Sequence, residues 1–458
     1  MSQFENNLSE GSVAKRLILF ALPVLLSNII QSLYSVADML IVGRFAGTVS
    51  MSAVNIGGQV TFIITNIVFG LCLGGTVLIG QYLGAGERDK MHRTISTLIT
   101  GLIILGVAST AIFIFLRDPL LRLIQTPAES FAEAREYLFV TILGILFIFG
   151  YNALSAILRG MGDSKRPFYF VTISCVTNIV LDILFVGPLH MGARGAAIAT
   201  VISQAMSMLL CVFYLMRRGF IFDFRLSSYH IYPEELKLIL KIGTPNAIQN
   251  GVTSISFLFI TALVNTIGNA AGNGAAASAA VGVVGKFNGF AIMPALAMSA
   301  AISTMSAQCI GAEKWDRAVR CLRIGTAIGV AFSYAIFAVA QAFPEGILRL
   351  FDSDPEMIAY GVSYMRSFSL DYLLVPFCFC FNGLFMGAGH TRFTLVNSIL
   401  SSLLLRIPAS FLFGRVLDWG LFGVGLGAPA ATLGSLILII WYFVSKRWRV
   451  NVVQHHMS

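Results

Sequence analysis

Between Leu17 and Gly43 the chain reads LILFALPVLLSNIIQSLYSVADMLIVG, 27 residues in which Asp38 is the only ionisable side chain. A stretch this long and apolar can cross a bilayer, which needs roughly 20 residues. A carboxylate inside such a span costs about 2.5–3.5 kcal/mol on insertion scales and so usually faces a polar interior. Gln31, Ser35 and Asp38 are spaced i, i+4, i+7 and share one helix face. Tyr34 lies one turn before Asp38 on an adjacent part of that surface. An aspartate is too short to snorkel far, which weighs against a carboxyl that merely reaches the water boundary.

The rest of the chain repeats this character. Hydrophobic residues make up 57% of its 458 residues, charged residues only 12%, and the mean hydropathy is +0.81. That composition belongs to a polytopic membrane protein. Twelve apolar runs are expected as all-α spans, at 15–43, 51–80, 94–116, 133–158, 166–187, 192–216, 237–267, 276–308, 318–343, 357–386, 392–415 and 419–445. The formal charge of +9 does not point to nucleic acid, because Lys and Arg gather at the ends of these runs. With the N-terminus inside, 21 of the 31 fall on the cytoplasmic side, nine at the outer side or within spans, and Lys286 inside a span. That bias places both termini in the cytoplasm and the chain in the cell membrane. Met1–Ala14 carries Glu5 and Glu10 and lacks the basic start and cleavage site of a signal peptide, so the first span is expected as an uncleaved anchor. The seven cysteines lie mostly in apolar runs without zinc or redox spacing and read as packing thiols.

The longest connection, residues 217–235, mixes charge with aromatics and ends in Pro-Glu-Glu. It is expected to be a cytoplasmic linker between an N-lobe of six helices, 1–216, and a C-lobe of six, 236–458. The halves match each other. Gln81-Tyr-Leu-Gly-Ala and Asp89-Lys90 recur as Gln308-Cys-Ile-Gly-Ala and Asp316-Arg317 at an offset of 227. At the same offset Tyr137 matches Tyr364, and Gly160-Met-Gly162 matches Gly387-Ala-Gly389. Near the starts of the halves, Lys15 and Pro23 match Lys237 and Pro245 at 222. A period this long is a duplicated bundle. Six helices per copy give a parallel repeat, with a pseudo-twofold axis along the membrane normal.

A second buried acid lies in the fifth run, where Asn178 and Asp182 are spaced i, i+4. The sixth run opens with small residues, Gly192 to Ala199, and adds the hydroxyl of Thr200. Small residues let helices approach closely. Two acids, an amide and a hydroxyl from three helices could converge, and all of them offer oxygen, which suits a hard cation such as Na⁺. The same acids could take a proton instead. The second half is not an electrostatic copy: Asp38 becomes Ile260, Asn178 becomes Leu405 and Asp182 becomes Ala409. It offers instead Gln249, Asn250, Thr253, Lys286, Asp371 and Arg406, with Asp371 free to pair with Lys286 or Arg406 or to face a cleft. There is no Walker loop, dinucleotide fingerprint or zinc motif, so the chain is not expected to be an enzyme or to hold a cofactor. Transport would then draw on an ion gradient.

These residues together resemble the multidrug and toxic compound extrusion (MATE) family over nearly the whole chain. The resemblance is carried by Pro23 with the Asp38 segment, Gln81-x-x-Gly84-Ala85, Leu158-Arg-Gly160-Met-Gly162-Asp163, the Asn178…Asp182 helix and Gly195-Ala-Ala…Thr200. It implies a V-shaped pair of pseudo-twofold-related six-helix lobes. It also implies export of amphipathic compounds, often small organic cations or planar aromatics, in exchange for Na⁺ or H⁺. By matching position, Asp38, Asn178, Asp182 and Thr200 resemble the family's N-lobe cation site. Gln31, Tyr34, Tyr137 and Asn152 resemble polar residues lining that lobe's cavity, and Gln249, Asn250 and Asp371 are further candidates for substrate contact. Some Na⁺-coupled members have a glutamate shortly after the helix 7 proline, but here Pro245 is followed by NAIQNGVTS. Those members also have a helix 10 aspartate, and Asp371 stands about a turn too far from Gly387 to match it. The N-lobe is therefore the expected cation site. A monomer among membrane lipids, with drugs as its other partners, is the expectation. The rival readings are a flippase for lipid-linked saccharides, which would want a cationic cavity, and a membrane-embedded lipid-modifying enzyme, which would need a catalytic constellation not found in the sequence.

Overall fold

The structure, a computed structural model, describes residues 4–270, 272–351 and 354–450. Every regular element among them is helical. One continuous helical stretch, Val13–Ala85, is broken at Gly47, whose φ of 82° lies in the left-handed region that glycine adopts without a Cβ penalty. It therefore holds two spans, α1 (13–46) and α2 (48–85). Then come α3 (Arg88–Leu123) and α4, a bent pair of Ala128–Leu143 and Ile145–Gly160 at 50°. They are followed by α5 (Lys165–Val186), α6 (Gly192–Arg217), α7 (Pro233–Ala270) and α8 (Gly274–Gly311). The last four are α9 (Trp315–Ala342), α10, a pair of Pro355–Leu373 and Val375–Gly387 bent by 43°, α11 (Thr391–Val416) and α12 (Gly420–Val444). These twelve spans, counted among the described residues, match the apolar runs of the sequence.

The chain divides into two compact units, Met1–Asn7 with Leu22–Ala247, and Leu8–Ala21 with Ile248–Ser458. One division precedes α1, between Asn7 and Leu8; the other two fall inside α1 and α7, within two residues of Pro23 and Pro245, the prolines that match at an offset of 222. Proline removes one ladder hydrogen bond and permits a bend, so a helix can leave its bundle there. The first unit holds the N-terminal part of α7 through bare backbone. A Cβ on Gly74 would fall 2.5 Å from Ile239 O, and one on Gly243 2.6 Å from Gly70 O. Only glycine allows that approach.

Like contacts recur in both units at the sequence offset. In the first, a Cβ on Gly160 would meet Thr76 O at 2.8 Å; in the second, one on Gly387 would meet Ser303 O. Residues 76 and 303 are themselves 227 apart. The interval 218–232 packs on the first unit. Ser96 Oγ donates to Ser228 O (2.6 Å), and His230 N and Tyr232 N donate to Ser96 Oγ (3.0 Å) and Thr97 Oγ1 (3.1 Å). Phe222 is fully buried, edge-on to Phe224 and Tyr229. At the start of α7, buried Glu235 accepts from Thr94 Oγ1 (2.9 Å) and Tyr82 OH (3.2 Å). In α11, Leu400–Arg406 and Leu412–Val416 are wound as π-helix on either side of Pro408. A proline that cannot donate favours such local rewinding. All seven cysteines are free and buried.

Candidate cation site

Asp38 arrives on α1 and Asp182 on α5, and the two carboxyls come within interaction range of each other inside the first unit. Asp38 is 8% exposed and Asp182 fully buried. Two ionised carboxylates only accept, so a hydrogen bond between them would require one shared proton. Asn178, one turn before Asp182, bridges to α6. With its amide nitrogen facing the acid, it donates to Asp182 Oδ2 at 3.2 Å and its oxygen accepts from Thr200 N at 3.3 Å. In the opposite orientation its nitrogen lies 3.3 Å from Thr200 Oγ1. The α6 end is held in turn by Glu133 of α4, whose Oε2 accepts from Ala193 N at 3.4 Å.

Asp38 Oδ1 and Asp182 Oδ1 are buried and have no hydrogen-bond partner. An unpaired polar atom in such surroundings is costly. The cluster thus presents unused oxygens from two acids beside an amide and a hydroxyl, all suited to Na⁺ or to protons. Tyr34 of α1 and Tyr137 of α4 lie close enough to feel both acids. The Tyr137 ring is laid on Gly57 of α2, where a Cβ would overlap it.

The other sequence candidates are placed apart from this cluster or on its edge. Gln31 is exposed on α1, and Asn152 donates to Ile148 O of its own helix at 2.8 Å. In the second unit Gln249 Oε1 is buried without a partner, and Asn250 accepts through its backbone from Ser254. Asp371 lies close to the Thr432 hydroxyl and to Arg406, and its Oδ1 has no hydrogen-bond partner. It forms no ion pair with Lys286 or Arg406 among the described residues. Arg406 lies near the Tyr364 hydroxyl and 4.4 Å from the centre of the Phe257 ring. Thr432 gave no signal in the sequence. Tyr364 gave one, because it is the repeat partner of Tyr137.

Two like six-helix halves, with a buried acid pair in the first, define a polytopic membrane transporter. The chain belongs to the MatE family, whose model matches it twice, over residues 23–184 and 245–412, so that each half carries one copy. The probable multidrug resistance protein YpnP of Bacillus subtilis (strain 168) is 30% identical over 441 residues, covering 96% of this chain and 97% of its own. A solved MATE in the straight conformation aligns at 25% identity with a TM-score of 0.89, covering 99% of this chain and 100% of the other. A MOP superfamily transporter from Pyrococcus furiosus, described as having a binding pocket of reverse polarity, aligns at 25% identity with a TM-score of 0.89 and covers 99% of each chain. Members of this family are transporters and not enzymes, which removes the lipid-modifying enzyme from consideration.

Proposed function

We propose that the protein exports amphipathic organic compounds from the cytoplasm in exchange for Na⁺ or H⁺, with both termini cytoplasmic. The observation that carries this reading is the contact between Asp38 and Asp182, each with an orphaned oxygen. The similarity to a probable multidrug resistance protein supports the substrate class.

In this reading the acid pair holds one proton at rest. An arriving Na⁺ displaces that proton and is taken up by the carboxylates, the Asn178 amide and the Thr200 hydroxyl. A second proton would neutralise the pair by another route. Either event changes the charge joining α1 to α5. Because Pro23 lies within α1 and Gly47 ends it, the Asp38 segment between them can shift without unwinding the bundle. The ion thereby favours one conformation and the drug the other, which is what exchange requires. Dye efflux from proteoliposomes with Na⁺ and pH gradients imposed independently tests the reading. Efflux indifferent to both gradients would reject it.

A further inference from the structure

The first part of α8 carries a cation that the acid-pair mechanism does not use. Lys286 lies twelve residues beyond Gly274 (286 − 274) in a span that runs to Gly311. At about 1.5 Å per residue that is roughly 18 Å along the helix, about a third of the way through an apolar span of 38 residues. Its side chain is exposed and makes no hydrogen bond or ion pair among the described residues.

The neighbours decide what it is exposed to. The stripe that includes it is Ala275, Ala279, Gly282, Lys286 and Gly289, all exposed or nearly bare backbone. A Cβ added at Gly282, Gly285 or Gly289 would meet nothing within 4 Å. Other spans expose large apolar side chains instead, such as Leu258 (70% exposed) on α7 and Ile437 (62%) on α12. At the 227 offset the matching stripe of α2 reads Thr48, Ser52, Asn55, Gln59 and Phe62, with Gln59 Nε2 donating to Asn55 Oδ1 at 3.4 Å. Amides at this depth face water and not hydrocarbon. Over residues 48–59 and 275–286 the two repeats thus put an open stripe of polar or small residues at the same place, and in the first half it ends at Phe62. The first half sets an amide there and the second sets a positive charge.

An unpaired cation at this depth takes its countercharge from what passes. We infer that Lys286 is a specificity-determining residue that contacts a carboxylate, sulfonate or phosphate group of transported compounds while their flat rings lie on the bare backbone of Gly282, Gly285 and Gly289. The second unit then accepts anionic and zwitterionic aromatics. This rests on the transport reading above, but binding and transport test the two separately.

The experiment compares wild type with Lys286→Gln, which installs the residue found at position 59, and with Lys286→Arg. Equilibrium binding of carboxyfluorescein and of ethidium is measured in a neutral detergent, with and without added phosphatidylglycerol, and gradient-driven transport of both dyes is then measured in phosphatidylcholine vesicles. Lys286→Gln is expected to weaken carboxyfluorescein binding about tenfold and Lys286→Arg less than about threefold, as loss and retention of a charge-assisted contact require. Ethidium binding should stay within about twofold for both. Equal carboxyfluorescein binding by wild type and Lys286→Gln overturns the inference whatever transport shows. An equal loss for both dyes does the same, since it marks a structural residue. A difference erased by phosphatidylglycerol overturns it in favour of a lipid headgroup. Selective binding loss with transport indifferent to every gradient would reject the coupling and leave the role of Lys286 standing.

Discussion

Asp38 and Asp182, 144 residues apart in sequence (182 − 38), bring their carboxyls within interaction range of each other in the first unit. Replacing Asp38 by Asn keeps the size and the capacity to hydrogen-bond but removes one exchangeable charge. We expect Asp38→Asn and Asp182→Asn to reach the membrane at normal levels and to lose gradient-driven dye efflux by at least about tenfold, or about 1.4 kcal/mol of coupling. Retained efflux in either variant would count against the acid pair as the ion site.

Asn178 is the link between the acid on α5 and Thr200 on α6. The second half has Leu405 at the matching position and no acid at 409. Asn178→Leu should therefore raise the coupling-ion concentration needed for half-maximal efflux by about tenfold, the loss of one hydrogen bond to a charged group, while maximal efflux at saturating ion changes little. An ion titration in proteoliposomes reads this directly.

The glycine crossings make a stability prediction that is independent of transport. Gly74→Val would drive a side chain into Ile239 O, and Gly387→Val into Ser303 O. Overpacking of this kind costs about 1–3 kcal/mol. Both variants should melt earlier in detergent, whereas Gly58→Ala, where a Cβ meets nothing within 4 Å, should not.

Glu235 is the acceptor for two buried hydroxyls, on Tyr82 and Thr94. Glu235→Ala leaves them without it, at a cost of about 1–3 kcal/mol. Unfolding in denaturant should show the loss, and Glu235→Gln, which can still accept, should recover much of it.

Much of this was legible in the residues. Run lengths set the twelve spans, because hydrocarbon admits only segments of one length and character. Matches at 227 set the repeat, and the Gly160 and Gly387 crossings repeat at that same interval. The rarity of acids at such depth pointed to Asp38 and Asp182. Their contact was not legible, because helical spacing gives the face of a helix but not its neighbour. Nor was the setting of Asp371, beside Thr432, a residue with no pattern around it. Arg406, one of the partners open to Asp371, lies near that acid without forming an ion pair and rests over the Phe257 ring. The linker, with its charges and aromatics, gave no sign that α3 hydroxyls would stitch its backbone down.

Each compact unit is completed by a piece from the other half of the gene: Leu8–Ala21 belongs with the second, and the opening of α7 with the first. Shifted by 222, residues 8–21 become 230–243, so the traded pieces are each other's counterparts. Exchange of like arms between two copies gives the same arrangement. Each half therefore supplies a piece that completes the other's unit. A chain cut at the linker should then yield two fragments that are unstable alone and recover only when made together.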